Sequence, residues 1–187
     1  LFSDAWEDIR IRLVAVEQQY NNFQIQQVQQ GGHVSAADKQ ALSATLSELE
    51  EMLNYHLARE YGVNTTKAKD FDAWKISHQP FHWYVDFYPL MSNGGFDAII
   101  GNPPYVEYKD LRGRYLIRSF DTGSCSNLFA FVLERCTKFS HVGTEIGMIV
   151  PVSAFSTERM IPLMEKLRDT SESLKISNFS WRPGKLF

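Results

Sequence analysis

The chain has 187 residues, of which 44% are hydrophobic, 22% charged and 13% aromatic, with a formal net charge of −3. This composition is too apolar for an intrinsically disordered chain and too evenly charged for a fibrous or low-complexity protein. No apolar run approaches the roughly 20 residues that cross a bilayer, and five charges among the first twelve residues argue against a secretory signal. We therefore expect a globular protein in the cytoplasm, with no membrane partner.

Two segments near the N-terminus carry apolar residues at every third or fourth position: Trp6, Ile9, Leu13, Val16, Tyr20 and Phe23, then Leu42, Leu46, Leu49, Leu53 and Leu57. This spacing predicts two amphipathic helices. Gly31-Gly32 ends the first helix, and Ser35 followed by Asp38 predicts the N-cap of the second. We expect residues 1–62 to form an antiparallel helical hairpin, whose apolar face is better explained as core than as a docking surface.

Residues 63–80 are mixed and turn-rich, and they indicate a connector that ends at Pro80. His78 and His82 have the spacing of metal ligands on a helix, but Pro80 between them disfavours that helix. We therefore expect packing roles for these histidines and no metal site.

From residue 81 onward, short apolar runs alternate with helical patterns. The predicted strands are Phe96–Ile100, Ile146–Val150 and Leu174–Phe179, and the predicted helices are Asn127–Phe139 and Ser156–Arg168. Strands that alternate with helices indicate right-handed crossovers and a parallel, doubly wound sheet. The fold class is therefore α/β, preceded by the helical hairpin.

The most informative motif is Asn102-Pro103-Pro104-Tyr105, which directly follows the first predicted strand. Ligands of open parallel sheets bind at the carboxyl ends of the strands. Asn102 offers a carboxamide oxygen and Pro103 a carbonyl without an N–H, while Pro104 stiffens the backbone and Tyr105 adds a flat ring. Two convergent acceptors beside a stacking platform suit an exocyclic amine on a planar ring.

At these residues the chain resembles S-adenosylmethionine-dependent amino methyltransferases, whose catalytic tetrapeptide is (Asn/Asp/Ser)-Pro-Pro-(Tyr/Phe). Residues 81–187 are similar to the adenine-specific (N6) DNA methyltransferases of restriction-modification systems, including fused type IIG-like polypeptides. The similarity includes Gly-Gly-Phe-Asp before the tetrapeptide, the stretch from Asn127 to Arg135 after it, and Gly147-Met-Ile-Val-Pro151. It implies a partial Rossmann-like, class I methyltransferase domain over residues 81–187.

The resemblance also implies roles for individual residues. A target adenine flipped out of double-stranded DNA would stack on Tyr105, while its N6 amine bonds to the Asn102 side chain and the Pro103 carbonyl. Phe129 or Phe131 would contact the adenosine of S-adenosylmethionine, and Asp86 is a further candidate cofactor contact.

The chain departs from that family in one respect, because it contains no Gly-x-Gly cofactor loop. The main binding loop for S-adenosylmethionine and the target-recognition domain would lie outside it, together with any partner or fused nuclease. We therefore expect an internal fragment of a longer enzyme. A basic run of Lys109, Arg112, Arg114 and Arg118 could neutralise DNA phosphates or form a solvated surface.

Two other hypotheses remain open. The same tetrapeptide serves enzymes that methylate a glutamine side chain of a protein or an RNA base. Alternatively, the chain is a noncatalytic piece that acts as an interaction module, which the missing glycine loop supports.

Overall fold

The computed structural model describes residues 2–29 and 35–178, with side chains from residue 7 onward except at residue 29. The chain divides into two compact units, the first ending at Asn93 and the second beginning at Gly94. The predicted Gly31-Gly32 turn and the side chain of Trp6 lie outside the described residues. No described helix is both long and apolar enough to cross a membrane.

The first unit is built on the predicted pair of helices. Helix α1 spans Phe2–Gln29 and helix α2 spans Ala36–Glu60. Arg12 pairs with Glu48, and Gln26 donates to the Asp38 carboxylate at 2.9 Å, so the two helices run antiparallel as expected. Their shared core centres on Val16 and Leu49 and includes the predicted positions Ile9, Leu13, Tyr20, Leu42, Leu46 and Leu53.

The second helix begins where the sequence predicts. Ser35 has an extended backbone, and its hydroxyl oxygen accepts the backbone N–H of Asp38 at 3.0 Å. The same hydroxyl donates to the Asp38 carboxylate at 2.6 Å. This is a side-chain N-cap that satisfies one of the otherwise unpaired amides of the first turn.

The predicted connector at residues 63–80 is more ordered than expected. Residues Ala68–His78 form helix α3, and its buried Phe71 and Trp74 pack against Ala58 of α2. The prediction of a turn-rich connector was therefore wrong for the residues of α3. The helix escaped detection because two buried aromatic side chains one turn apart give too short a periodic pattern. Two short helices follow, α4 at Trp83–Asp86 and α5 at Tyr88–Ser92.

The second unit contains two parallel strands, β1 at Phe96–Gly101 and β2 at Ser140–Met148. The regular ladder pairs Ala98 to Gly101 with Glu145 to Met148, which confirms the first predicted strand. Strand β2 begins earlier than predicted because a register shift between Phe96 and Ala98 takes up the extra residues. The Thr144 hydroxyl donates to the Phe96 carbonyl at 2.6 Å within this irregular part.

Helix α6, at Leu128–Lys138, matches the predicted helix, and Asn127 is its N-cap. The predicted helix at 156–168 begins later: residues Glu158–Met160 form a 3-10 turn, and helix α7 spans Ile161–Thr170. Both helices contribute to one core, with Phe129, Ala130 and Leu133 from α6 and Leu163 and Leu167 from α7. Met148 and Val150, at the end of β2, pack against it.

The third predicted strand is wrong over its described part. Residues 174–178 contain no strand, and Phe179 lies outside the described residues. Leu174 and Ile176 are 43% and 49% exposed, and no ladder partner satisfies this segment. Apolar alternation alone did not determine a strand here, because a strand also needs a neighbour for its backbone groups. The described sheet therefore has two parallel strands, which is compatible with an α/β fold.

Candidate functional site

The Asn102-Pro103-Pro104-Tyr105 tetrapeptide lies at the carboxyl end of β1, as the sequence predicts. The backbone N–H of Ile149 donates to the Gly101 carbonyl at 3.0 Å, so the parallel pairing extends one step beyond the end of β2. This bond places the carboxyl ends of both strands side by side. The tetrapeptide therefore starts from a fixed point on the sheet edge.

The side chains of Tyr105 and Asn102 contact each other. Tyr105 Oη lies 2.7 Å from Asn102 Oδ1 and 3.0 Å from the Ile149 carbonyl oxygen. The phenol has one proton to donate to these two acceptors. The contact fixes the Asn102 carboxamide relative to the tyrosine ring and fixes both relative to the end of β2. The sequence predicts the Tyr105 ring beside the Asn102 acceptor, and the structure adds a hydrogen bond between the two side chains.

The Tyr105 ring is partly open to solvent. It is 47% exposed, and its contact with the core is an edge-to-face arrangement with Phe129, at 6.4 Å between centroids and 85° between planes. An edge-to-face partner leaves a ring face available for stacking. Pro103 is buried and Pro104 exposed, so the tetrapeptide is anchored through Pro103 while Asn102 and Tyr105 stay accessible. The arrangement presents one carboxamide acceptor next to one aromatic face.

The chain immediately after Tyr105 is held against the start of α6. The N–H of Leu128 donates to the Val106 carbonyl at 2.9 Å, and the N–H of Tyr108 donates to the Ser126 carbonyl at 2.9 Å. These bonds close the ends of the intervening loop. The two ends of the loop formed by residues 108–126 are therefore close together, directly after the tetrapeptide.

Glu107 reinforces this closure by an ion pair. Arg159 donates from both terminal guanidinium nitrogens to the two carboxylate oxygens, at 2.6 and 3.1 Å. The Asn127 amide also reaches Glu107, at 3.4 Å. The Arg159 hydrogen bonds hold the pKa of Glu107 below its ordinary value. No sequence signal pointed to this pair, because its members are separated by 52 positions.

A second carboxylate, Glu134, is fully buried within α6. Burial alone would raise the pKa of Glu134, but hydrogen bonds outweigh that effect and lower it to about 2. The donors are the N–H and hydroxyl of Thr122, at 2.9 and 2.8 Å, the N–H of Asp121 at 3.2 Å, and Lys138. Glu134 therefore fastens the far end of the loop to α6. A glutamate on the apolar face of a helix was the signal that could have revealed it.

The predicted cofactor residues lie in both units of the chain. Phe129 is in the core of the second unit, and Phe131 is buried against Tyr108 and Phe120, at 6.0 and 5.2 Å between centroids. Asp86 belongs to the first unit, where its carboxylate accepts the N–H of His82 at 3.1 Å. Phe129 and Phe131 are both buried, at 1% and 5% exposure. Their role in holding a cofactor stays a prediction.

Metal ligation finds no support among the described side chains. No group of three or more His, Cys, Asp or Glu residues there is placed to hold an ion. His82 lies 2.8 Å from the Asn54 side-chain oxygen, and its burial lowers the pKa of the imidazole. His78 stacks on Trp74 at 5.4 Å between centroids. Cys125 and Cys136 are buried free thiols whose pKa values burial raises.

Comparison with known families gives one match over most of the chain. Residues 15–187 match the family described as Eco57I restriction-modification methylase. No solved structure matches the chain significantly.

Three curated proteins are similar over part of their length. The putative type II restriction enzyme and methyltransferase RM.MjaORFECS2P of Methanocaldococcus jannaschii is 31% identical over 94 residues, which is 50% of this chain and 8% of that protein. The type II methyltransferase M.HincII of Haemophilus influenzae is 26% identical over 129 residues, which is 65% of this chain and 25% of the relative. M.HindII of Haemophilus influenzae is 26% identical over 129 residues and 24% of its length. The chain thus spans a quarter or less of these relatives.

Proposed function

The chain belongs to the Eco57I restriction-modification methylase family, and from this premise we propose that the intact protein methylates the N6 amine of adenine in DNA. S-adenosylmethionine supplies the methyl group in the proposed reaction and leaves as S-adenosylhomocysteine, and the methylated amine gives up one proton to solvent. The relatives named as type II methyltransferases support the DNA substrate, and the relative named as a restriction enzyme and methyltransferase supports an associated nuclease. The Rossmann-like assignment of the second unit is part of the same proposal.

The observation that carries the adenine assignment is the contact between Asn102 and Tyr105. It holds an amide oxygen beside the aromatic ring of Tyr105, a residue that is 47% exposed. An adenine stacked on that face would bring its exocyclic amine close to Asn102. Carboxamide and carbonyl oxygens accept hydrogen bonds without competing as nucleophiles, so they leave the amine's lone pair available.

The chemical work of this chain is to hold the amine. Asn102 Oδ1 accepts one N–H and the Pro103 carbonyl accepts the other. As the amine nitrogen gains a bond it gains positive charge, and both acceptors then bind it more strongly. This interaction is greater in the transition state than in the ground state, which is the condition for raising the rate.

Asn102 has a donor already, because Tyr105 Oη lies within hydrogen-bonding distance of its oxygen. An amide oxygen has two lone pairs, so one remains for the adenine amine. Donation from the phenol keeps the oxygen, rather than the NH₂ group, facing the ring. An NH₂ group in that position would repel the amine hydrogens.

The proposal is tested by methyl transfer from radiolabelled S-adenosylmethionine to duplex DNA, with RNA and glutamine-containing protein as alternative substrates. The intact protein should label duplex DNA, and digestion should return N6-methyladenine. The Asn102→Ala variant should lose turnover by about a hundredfold or more, as expected for a lost hydrogen bond that acts in the transition state. Asn22→Ala, which alters an exposed asparagine of α1, is the matched control.

The alternatives predict different results. Labelling of RNA or of protein glutamine in preference to DNA would keep the amine chemistry and overturn the substrate. Absence of any labelling, together with no calorimetric binding of S-adenosylmethionine by the intact protein, would support the noncatalytic interaction module instead.

A further inference from the structure

We propose that residues 108–120, here named the basic loop, bind the phosphate backbone of duplex DNA next to the target base. The inference rests on the proposed function for the identity of the target. Binding of the backbone can nevertheless be measured separately from methyl transfer.

Charge distinguishes the basic loop from the rest of the second unit. It carries exposed Lys109, Arg112, Arg114 and Arg118 against one acidic residue, Asp110. Within the described part of the chain, no carboxylate forms an ion pair with Lys109, Arg112 or Arg118. By contrast, three other cations of this unit are neutralised internally: Lys138 by Glu134, Arg159 by Glu107 and Lys166 by Asp121. The positive charge of Lys109, Arg112 and Arg118 is therefore left to a partner.

The basic loop has internal structure. The Tyr108 hydroxyl accepts the N–H of Ile117 at 3.2 Å and donates to the Tyr115 carbonyl at 3.3 Å. The guanidinium groups of Arg112 and Arg114 lie over the rings of Tyr108 and Tyr115, at 5.7 and 5.3 Å from their centroids. The loop is thus a folded element in which two of the four cations are packed on tyrosine rings. Side chains held in this way lose less conformational entropy when they bind.

The basic loop is also close to the proposed base-binding ring. Lys109 follows Tyr105 by four residues, so their Cα atoms are at most about 14 Å apart even in an extended chain. The return bond from Tyr108 to Ser126 keeps the loop at this edge. Successive nucleotides of one DNA strand rise by about 3.4 Å, so this distance corresponds to only a few phosphates. A base on Tyr105 would place its neighbouring phosphates within reach of the loop.

Duplex DNA fits this surface better than an acidic polypeptide. Its backbone offers regularly spaced charges, and phosphates bind both lysine and arginine. The surface lies beside a site suited to a purine amine, which a protein partner would not explain. Contacts of this kind fix position on DNA without reading sequence.

The test is the salt dependence of binding to a short mixed-sequence duplex, measured by fluorescence anisotropy with the intact protein. The Lys109→Gln, Arg112→Gln, Arg118→Gln triple variant should reduce the slope of log K against log salt by about 2 to 3, because each phosphate contact contributes about 0.9. Each single variant should reduce it by about 0.9 at most. The matched control replaces Lys166, Arg168 and Lys175 by Gln, which removes the same charge from the same unit.

An unchanged slope in the triple variant, with an unchanged thermal midpoint, would overturn the inference. An equal change in the control variant would do the same, because net charge would then explain it. Competition by polyglutamate as strong as that by DNA would assign the loop to an acidic polypeptide and overturn it too. If methylation of adenine fails but the slope changes as expected, the proposed function fails and the basic loop remains a DNA-binding element.

Discussion

Arg159 holds both carboxylate oxygens of Glu107, which lies two residues after Tyr105. The pair connects the segment that leaves the tetrapeptide with the 3-10 turn that precedes α7. It is half-exposed, so its value for overall stability is small. Its position indicates that it orients Tyr105 instead.

We therefore predict that Arg159→Met lowers kcat for methyl transfer by roughly threefold to tenfold, because small displacements of a binding group reduce rates strongly. The thermal midpoint should change little. The charge-reversed double variant, Glu107→Arg with Arg159→Glu, should recover part of the loss. Steady-state kinetics of the single and double variants check this, and a double variant worse than either single one would contradict a pairing role.

The hydroxyl and the ring of Tyr105 should make separate contributions to the rate of methyl transfer. Tyr105→Phe removes the contacts with Asn102 and the Ile149 carbonyl but keeps the ring, so kcat should fall by about fivefold, as expected for one net hydrogen bond. Tyr105→Ala also removes stacking, so its kcat should be lower by a further factor of about ten or more. Steady-state kinetics with duplex DNA as substrate measure the loss of kcat in each variant. Equal losses in the two variants would show that the ring contributes nothing beyond its hydroxyl.

Glu134 should make stability depend on pH. Its pKa is about 2 in the folded chain and near 4.5 ordinarily, so the folded state prefers the charged form. The contribution of charged Glu134 to the free energy of unfolding is then complete above pH 4.5 and is lost as the pH falls towards 2. Its size is on the order of 3 kcal/mol. Glu134→Gln should lower the free energy of unfolding at pH 7 by a similar amount.

Urea denaturation of the parent and of Glu134→Gln, at pH 7 and near pH 3, tests whether the charge of Glu134 stabilises the fold. The difference in the free energy of unfolding between Glu134→Gln and the parent should shrink at the lower pH, because the carboxylate is then largely protonated in the unfolded chain while it stays mostly charged in the folded one. Glu165→Gln, in α7, is the control and should behave like the parent. A difference that stays constant across pH would mean that packing, not charge, explains the loss.

Gly95 is a position where no other residue fits. Its φ is +117°, and an added Cβ would lie 2.0 Å from the Phe139 carbonyl oxygen. The Phe96 N–H bonds to that same carbonyl at 3.0 Å, so neither backbone segment can move freely. Gly95→Ala should destabilise the protein by at least about 2 kcal/mol.

The control for this substitution is Gly123→Ala, since an added Cβ there meets open space and the backbone is not left-handed. It should change the midpoint of urea denaturation only slightly. Equal effects of the two substitutions would contradict the close approach at Gly95.

The parts of the fold that sequence reasoning predicted are those with local causes. Strand β1 follows from a continuous apolar run, the start of α6 from Asn127, and the start of α2 from Ser35. The tetrapeptide was found because its chemistry is contained in four consecutive residues. In each case the information lies within a few positions of the feature.

The parts that were missed depend on distant contacts. The early start of β2 requires Thr144 to bond to Phe96, and the Arg159 ion pair joins residues 52 positions apart. Glu134 on the apolar face of α6 is a sign of buried charge, but the sequence does not identify its partners, because Asp121 and Thr122 precede the helix. Such contacts have no periodic or motif-like signature, so only the folded chain reveals them.

The closed ends of the loop after Tyr105 have a consequence for how such proteins can vary. Because the bonds from Leu128 to Val106 and from Tyr108 to Ser126 secure both ends, the loop between them can change length or charge without moving the tetrapeptide. Lengthening a closed loop costs little, about 0.6 kcal/mol for each doubling. If the two proposals hold, affinity for the nucleic acid backbone and the chemistry on the base can evolve, or be engineered, independently of one another.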